Sequence, residues 1–281
     1  MGTVVLAVVL FPVWFGAILV GVTYTLAHLV FPGGGSRGPD DTLAGRIAGG
    51  AASILLEWVA SIWVVLTFPY KFMRNEGVGH SLGKGQVPVA ILPGHSENAL
   101  TMFFLERRLA RKLRVPVRAF SPKRYYGGLE RIGREFKSDI LQWMEQLDAD
   151  LVDLVGHSQG GLLSRYLVEM GGMKKRVRSV VTIGTPHQGS ALSVLLPGSN
   201  ARQMRRGSFF LEKLNQASPA RGVRMLGICS THDNLVLPWH CGLSPRGDNY
   251  IMQYRGHLTL ILSGEVVRLV AKELAGHHSH P

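Results

Sequence analysis

One segment in the middle of the chain constrains the fold more than any other. An apolar run, Asp150–Val155, leads directly into the sequence Gly-His-Ser-Gln-Gly at residues 156–160. The residues that follow, from Gln159 to Met170, carry apolar side chains at helical spacing. The segment therefore predicts a buried strand, a tight turn framed by glycines and a helix, which is a repeating unit of parallel sheets.

The same alternation continues through the chain from Val87 onward. Short apolar runs alternate with longer segments of helical periodicity. Strands are predicted at 87–92, 115–120, 150–155, 177–183, 223–229 and 250–254, and helices at 97–113, 129–147, 159–170 and 258–275. Residues 87–281 are therefore expected to form an α/β domain with a mostly parallel central sheet.

The first 73 residues have a different composition. No Asp, Glu, Lys or Arg occurs from Thr3 to Phe31, and between Ile47 and Tyr70 the only one is Glu57. Both stretches exceed the roughly 20 residues that a helix needs to cross a bilayer. We expect residues 1–73 to form a hairpin of two membrane helices, joined by a linker at 74–86 to the α/β domain.

Two alternatives stay open for this region. The first stretch could be a cleaved signal peptide, although it lacks a basic start and exceeds the usual apolar core of about 7–15 residues. The second could be a long amphipathic or buried helix packed on the α/β domain, because Glu57 is costly in lipid unless it faces the first helix or loses its charge. The balance of Lys and Arg beside the two stretches leans toward a cytoplasmic α/β domain.

Charge and cysteine content narrow the possible partners. The formal net charge of +12 is concentrated in short clusters such as 107–114 and 174–178. Such clusters can face anionic headgroups, and they are equally expected on a solvated helix face. Nucleic-acid binding is not expected, because no reading motif or aromatic stacking surface accompanies the charge. Cys229 and Cys241 would pair only in an oxidising compartment, and the oligomeric state is left open.

Ser158, at the centre of the turn, is the candidate nucleophile. A Gly-x-Ser-x-Gly sequence by itself is weak, since a chain with 34 glycines can contain one by chance. Its position between a strand and a helix is what a nucleophile elbow needs, and Gly156 and Gly160 are the small neighbours two residues to either side. The alternative is a glycine-rich turn with a buried serine.

A serine hydroxyl needs a base to take its proton, and the elbow predicts an acid and then a histidine downstream. Asp233 follows the strand at 223–229 and is the candidate acid, with Asp248 in reserve. Asp233 could otherwise stabilise a turn. His257 follows the last predicted strand and is the candidate base. Three other histidines downstream of the serine are rivals: His187, His232 and His240.

Negative charge that develops on a carbonyl oxygen needs backbone donors already in place. The amide of Gln159, directly after the nucleophile, is one candidate for this oxyanion hole. The amide of His95, in the loop after the first strand, is the other, and Gly94 lets that loop turn sharply. Ser96 could also simply cap the following helix.

These segments resemble the bacterial lipase and esterase branch of the α/β-hydrolase superfamily. The resemblance rests on residues 91–96, 152–161 and 182–190 and on the order of Asp233 and His257, and it covers the chain from about Val87. It implies an α/β-hydrolase fold that cleaves carboxylic esters, commonly acylglycerols, through an acyl-enzyme on Ser158. The alternatives are an acyltransferase or protein deacylase with the same triad, or a non-catalytic membrane-anchored binding protein on this fold.

Two features depart from the family pattern. The oxyanion segment of the family usually begins His-Gly, whereas this chain has Pro93 before Gly94, so a histidine that orders the loop is absent or replaced. Some members bind calcium near the catalytic histidine. Residues 258–260 offer no carboxylate here, so we expect neither a metal nor another cofactor.

The resemblance also places two segments near the site. It implies that Thr185–Ser190 is structural, which argues against His187 as the base. In the short insertion that follows, residues 191–196 are expected to form either a small lid over the acyl site or a helix packed on the domain. The hydrophobic N-terminal region favours a lipid-like acyl ester as the substrate and the membrane as a partner.

Overall fold

The computed structural model describes residues 14, 16–18, 20–26, 43–70, 77–78 and 81–276. Predictions for the turn between the two apolar stretches and for the C-terminal tail lie outside the described residues, as does part of the predicted linker at 74–86.

Six strands form one sheet in the described chain. They are β1 (Val89–Leu92), β2 (Val117–Ala119), β3 (Val152–His157), β4 (Val177–Ile183), β5 (Arg224–Ser230) and β6 (Asp248–Met252). The order is β2-β1-β3-β4-β5-β6, and every neighbouring pair is parallel. The predicted α/β fold with a parallel sheet is therefore confirmed.

Helices connect the strands and cover both faces of the sheet. They are α1 (Leu43–Thr67), α2 (Phe103–Leu113), α3 (Leu129–Gln146), α4 (Gln159–Glu169), α5 (Ser199–Gln203), α6 (Phe209–Gln216), α7 (Thr259–Leu262) and α8 (Gly264–Ala275). The chain turns back between β1 and β3, which are neighbours although β2 lies between them in sequence. Ligand sites of such sheets lie at the carboxyl ends of the strands beside this reversal.

Two apolar clusters form the core, one on each face of the sheet. Alternate residues of β1 enter different clusters, with Leu92 facing α3 and α4 and Ile91 facing α2 and α8. This follows from the two-residue period of a strand. β1 and β3 are buried on both faces, which explains why these strands appear in the sequence as apolar runs rather than as alternating patterns.

Two helix boundaries differ from the sequence prediction. The helix expected from Glu97 begins only at Phe103, because the side chains at 97 and 98 turn inward and bond the Gly94 amide and the Thr67 carbonyl instead. The closing helix is interrupted at Ser263, whose hydroxyl accepts hydrogen bonds from the amides of Glu265 and Val266 and so starts α8.

The N-terminal region contains a helical segment within residues 16–26 that packs antiparallel to α1. Gly16 lies against Ser61, and eight residues further the Tyr24 hydroxyl is 2.8 Å from the Ser53 hydroxyl. Among the described residues, only 50–70 form a helix long and apolar enough to cross a membrane. Length and composition give weak support for a membrane hairpin, since a buried core helix has the same properties.

The two N-terminal helices also contact the loops at the carboxyl edge of the sheet. The carbonyl of Thr67 in α1 accepts a hydrogen bond of 2.9 Å from the Asn98 side chain, and the Thr67 hydroxyl is 3.0 Å from that of Thr101. In the first helical segment, the Thr23 hydroxyl accepts a 2.8 Å bond from the side chain of Asn234. The helices therefore lie across the loops that follow β1 and β5.

Candidate active site

Ser158 stands at the carboxyl end of β3 in a strained conformation. Its φ of 52° and ψ of −121° are unusual for a residue with a side chain, and its amide donates a 2.8 Å bond to the carbonyl of Ile183. The serine is partly exposed although the residues around it are buried. This is the geometry of a nucleophile elbow, which lifts the hydroxyl above the sheet.

The two glycines of the elbow are required by close backbone contacts. A Cβ on Gly156 would overlap the backbone of Gly160, and one on Gly160 would overlap the carbonyl of Leu92. The sharp turn therefore brings the start of α4 against the end of β1. Both glycines have negative φ, so it is space and not backbone conformation that excludes a larger residue.

The structure brings Asp233 and His257 together. The Nδ1 of His257 lies 2.8 Å from Oδ2 and 3.0 Å from Oδ1 of the Asp233 carboxylate, and both side chains are buried. Asp233 Oδ1 also accepts bonds of 2.8 Å from the amides of Leu235 and Val236, which fix the carboxylate in the loop after β5. The backbone of His257 is held in turn, because its amide donates to Asn234.

Electrostatics at this pair favour the charged imidazole. Burial lowers the pKa of His257, but the adjacent Asp233 carboxylate outweighs burial and raises that pKa to about 9. In the neutral ring, Nδ1–H is directed at the carboxylate and Nε2 is the proton acceptor. The pair can thus take a proton and stabilise the resulting imidazolium.

Gly184 lies close to the candidate acid and base, and it directly follows the residue that bonds the backbone of the candidate nucleophile. A Cβ at this position would lie 3.4 Å from Oδ2 of Asp233 and 3.4 Å from Cε1 of His257. The preceding residue, Ile183, accepts the hydrogen bond from the Ser158 amide. Nucleophile, acid and base therefore converge at the carboxyl ends of β3, β4 and β5.

The reserve acid and one rival histidine lie elsewhere. Asp248 is exposed at the first residue of β6, at the opposite edge of the parallel sheet. His240 is exposed on a short 3₁₀ turn. Asp248 therefore lies at the amino ends of the strands, whereas the elbow lies at their carboxyl ends.

The other two histidines have structural partners. His187 is fully buried between the hydroxyl of Thr182, 3.1 Å away, and the guanidinium of Arg165, 3.2 Å away. Burial, with a contribution from Arg165, lowers the pKa of His187 well below its ordinary value, so the ring stays neutral. The ring of His232 bonds the Thr231 hydroxyl and lies beside the ring of Tyr254.

The loop after β1 touches the elbow. Gly94–Glu97 forms a tight turn in which the Glu97 amide bonds the Gly94 carbonyl, and a Cβ on Gly94 would lie 3.0 Å from the Ser158 Cβ. The amides of His95 and Gln159 have no acceptor among the described residues. Gln159 opens α4, where the first amides have no partner within the helix. Both predicted oxyanion donors are therefore unpaired within the described part of the chain.

Three buried side chains that support this loop were not identified from the sequence. Asn200 in α5 donates to Gln159 Oε1 at 2.6 Å and lies 3.1 Å from His95 Nδ1, so it links the side chains of both oxyanion residues. Glu97 accepts a 2.5 Å bond from the Gly94 amide and lies 2.8 Å from Nδ1 of His157. Glu97 thus orders the loop in place of the histidine that the family pattern would supply.

The Glu97–His157 pair also reaches the base. Nε2 of His157 lies 3.2 Å from the carbonyl of His257, which can only accept, so Nε2 carries a proton. Burial raises the pKa of Glu97, but His157 beside it outweighs burial and the pKa is lowered overall. The network therefore connects the oxyanion loop, the elbow and the loop of the base.

Other predictions concern metals, cysteines and the lid. Within the described part of the chain, no cluster of three or more His, Cys, Asp or Glu side chains could hold a metal ion. Cys229 and Cys241 are buried free thiols.

Residues 191–194, the segment considered as a lid, form a short 3₁₀ helix, and the apolar side chains of Val194 and Leu195 are exposed.

Comparison with known proteins gives matches in sequence and in structure. The family model of palmitoyl protein thioesterase matches residues 128–222, which contain the elbow. Triacylglycerol lipases of Pseudarthrobacter phenanthrenivorans and Burkholderia plantarii are each 45% identical over 58 residues, or 21% of this chain. The matched segment spans only 18% and 16% of those two relatives.

Solved lipases share the fold at low sequence identity. A Bacillus licheniformis lipase in its mature form superposes with a TM-score of 0.60 at 15% identity, over 70% of this chain and 95% of that one. Aspergillus fumigatus lipase B gives a TM-score of 0.59 at 16% identity, over 72% of this chain and 55% of that one. These superpositions show that the chain shares the α/β fold of the solved lipases.

Proposed function

We propose that the protein is a membrane-associated serine hydrolase that cleaves carboxylic esters through an acyl-enzyme on Ser158. The observation that carries the proposal is the buried Asp233–His257 pair, which lies beside a strained and partly exposed serine at the same sheet edge. The lipase names of the sequence relatives support the same reaction class.

The residues divide the work of acyl transfer among them. His257 Nε2 takes the proton of Ser158 as the serine oxygen attacks the carbonyl carbon, and Asp233 holds the ring in the tautomer that makes this possible. The His95 and Gln159 amides bind the oxygen that becomes negative. His257 then returns the proton to the leaving alcohol and later activates the water that releases the acid.

The outer surface of the N-terminal helices supports membrane association. Side chains at helical spacing in the first segment point outward, and five apolar side chains of α1 are more than 40% exposed. The outward side chains are Trp14, Ile18, Val22, Ile54, Leu55, Leu56, Val59 and Leu66. An apolar surface of this extent needs cover, which acyl chains of a bilayer would provide. The charge balance described above supports a cytoplasmic catalytic domain.

A thioester or protein-bound acyl group is the second candidate substrate. It is favoured by the match of residues 128–222 to palmitoyl protein thioesterase. The same triad serves both reactions, because a thioester presents the same carbonyl to the serine. The first candidate, a lipid or acylglycerol ester, is favoured by the triacylglycerol lipase relatives.

The direct test is labelling of the detergent-solubilised full-length protein with a fluorophosphonate, comparing wild type with Ser158→Ala. We expect the wild type to be labelled and the variant to remain unlabelled, because the probe reacts only with an activated serine. Equal labelling of both proteins, or of neither, would contradict the proposal and favour a binding protein on this fold.

The substrate class is tested separately with acyl esters and thioesters. A chain-length series of p-nitrophenyl esters and the matching acyl thioesters are compared by kcat/KM. Preference for long acyl chains supports a lipid-like substrate, and preference for the thioester series supports the deacylase. Activity confined to the shortest esters would argue against both.

A further inference from the structure

Glu57 is the single charged residue in the apolar part of α1, and it is fully buried against the loop of the catalytic base. Its Oε1 accepts a 2.8 Å hydrogen bond from the Leu258 amide, and its Oε2 accepts a 2.9 Å bond from the Thr259 amide. These amides belong to the two residues that follow His257. The contact joins positions that are 201 and 202 residues apart in sequence.

The surroundings of Glu57 are shaped to fit the carboxylate. A Cβ on Gly256 would overlap Oε2 of Glu57 and would lie 2.7 Å from the Tyr24 hydroxyl. A residue larger than glycine at this position would displace the Glu57 carboxylate from its place against the catalytic loop. Gly256 and His257 are adjacent, so the backbone on both sides of the base is packed against N-terminal helices.

A second contact from the N-terminal region reaches the same backbone. The Thr23 hydroxyl accepts a hydrogen bond from Asn234 Nδ2, and Asn234 Oδ1 accepts one from the amide of His257. The chain of contacts therefore runs from Thr23 through Asn234 to the base, and Asn234 is the neighbour of the acid Asp233. Both helices contribute one polar side chain to the frame of the Asp233–His257 pair.

We infer that Glu57 is a positioning residue for His257, so that the N-terminal helices complete the active site rather than only anchoring it. The carboxylate fixes the backbone directly after the base and adds negative charge near the imidazolium that forms during catalysis. A buried carboxylate is costly without partners. Two backbone amides donate hydrogen bonds to the Glu57 carboxylate here. Packing alone could hold the loop without a buried charge, so the charge indicates a role beyond packing. The inference rests on the triad proposed above.

The experiment compares Glu57→Gln with wild type in the full-length, detergent-solubilised protein. Glutamine has nearly the same shape, but its NH₂ group cannot accept a bond from an amide, so one of the two contacts is lost. On the alkaline plateau, where His257 is neutral in both proteins, we expect kcat on a p-nitrophenyl ester to fall about 10- to 100-fold with little change in KM, because a small misplacement of the base is enough. Glu212→Gln, the same change at an exposed residue of α6, should leave both constants unchanged.

A pH profile of kcat/KM separates positioning from a general loss of structure. The ionisable groups around His257 are Asp233, Glu57, Glu97 and His157, with Tyr24 beside Glu57. His257 must be neutral to take the serine proton, so activity falls as the pH drops through its pKa. Removing the Glu57 charge destabilises the imidazolium, and the acid limb should therefore move to lower pH in Glu57→Gln.

Thr23→Val is the second variant. It leaves Glu57 and α1 unchanged, so it tests the inference even if Glu57→Gln does not fold. It removes the acceptor for Asn234 and should produce a smaller fall in kcat, again without a change in KM. The inference is overturned if a folded Glu57→Gln protein has the wild-type kcat and an unchanged acid limb. If Glu57→Gln does not fold, a Thr23→Val protein with the wild-type kcat overturns it. Failure of the proposed function can be distinguished from failure of this inference, because Ser158-dependent labelling of the wild type would then be absent.

Discussion

The helices of the α/β domain and the helix α1 face their surroundings in opposite ways. In the domain, α3 and α8 bury apolar side chains such as Phe136 and Val270 and turn charged ones to the outside. In α1, the inward face carries Ser53 and Glu57, whereas the outward face is apolar. The first arrangement is that of a helix in water. The second arrangement is the basis of the proposed membrane association.

The comparison shows that the interactions within the α/β domain differ in kind from those between the domain and the N-terminal helices. Apolar burial holds the domain together and is not directional. The N-terminal helices also pack aromatic rings on the domain, as Trp63 does on Phe104, and in addition they form directional hydrogen bonds at Thr23, Glu57 and Thr67. Directional contacts set positions, and two of the three lie next to the acid or the base. The N-terminal region is therefore coupled to the chemistry by geometry.

The largest expected effect belongs to the domain itself. Asp233→Asn should lower kcat by about 10⁴-fold near neutral pH, because the imidazole then loses the partner that holds its tautomer. Steady-state hydrolysis of a p-nitrophenyl ester measures the loss. Asp248→Asn is the matched control, since this carboxylate is exposed at the opposite edge of the sheet and its change should leave kcat unaltered. Equal losses in both variants would refute the assignment of the acid.

The outward face of α1 should show a smaller effect, on location and not on chemistry. Replacing Leu55 and Val59 together by Gln should lower partition into liposomes about 10²-fold, because two apolar side chains no longer enter the bilayer. Flotation of the full-length protein with vesicles measures the change.

The control for that prediction places the same change on the other region. Leu151 and Ile251 are exposed apolar residues of the domain, and replacing both by Gln should leave flotation unchanged. If the two double variants float alike, the apolar face of α1 is not the membrane-binding surface and the contrast between the regions fails.

The smallest effect concerns a link inside the domain. Asn200→Ala removes the donor that ties Gln159 to His95, so the two oxyanion amides should be held less firmly. We expect kcat to fall about 10-fold, less than the loss of a whole oxyanion donor. Ser199→Ala, at the neighbouring half-buried position of α5, is the control, because its hydroxyl bonds the Tyr126 carbonyl and neither oxyanion residue. An unchanged kcat in Asn200→Ala would show that the loop after β1 is ordered by Glu97 alone.

Much of the fold follows from local patterns in the chain. β4 occupies the predicted residues 177–183, and α3 ends one residue before its predicted boundary. These elements are predictable because burial imposes a period on each of them. The start of α2 was predicted six residues too early, because the side chains at 97 and 98 form tertiary bonds that no local pattern contains.

The site was predictable where the fold dictates chain order. A glycine-framed serine after a strand, followed by an acid and a histidine after later strands, is a pattern in sequence, and the structure brings Asp233 and His257 together. Asn200 and His157 were missed because each acts through a partner far away in the chain. For Glu57, the sequence showed only a single carboxylate in an apolar stretch. That pattern is equally compatible with a membrane helix and with a helix packed on the domain.

The sequence by itself determined the elements, their parallel order and the identity of the candidate nucleophile, because these depend on hydrophobic periods and on glycines at fixed spacing. Only the tertiary structure decided where Glu57 lies and which aspartate meets the base. Such contacts depend on how distant segments close on one another, and closure is set by the whole core. The elbow is therefore local in origin, and its active site is a property of the folded chain.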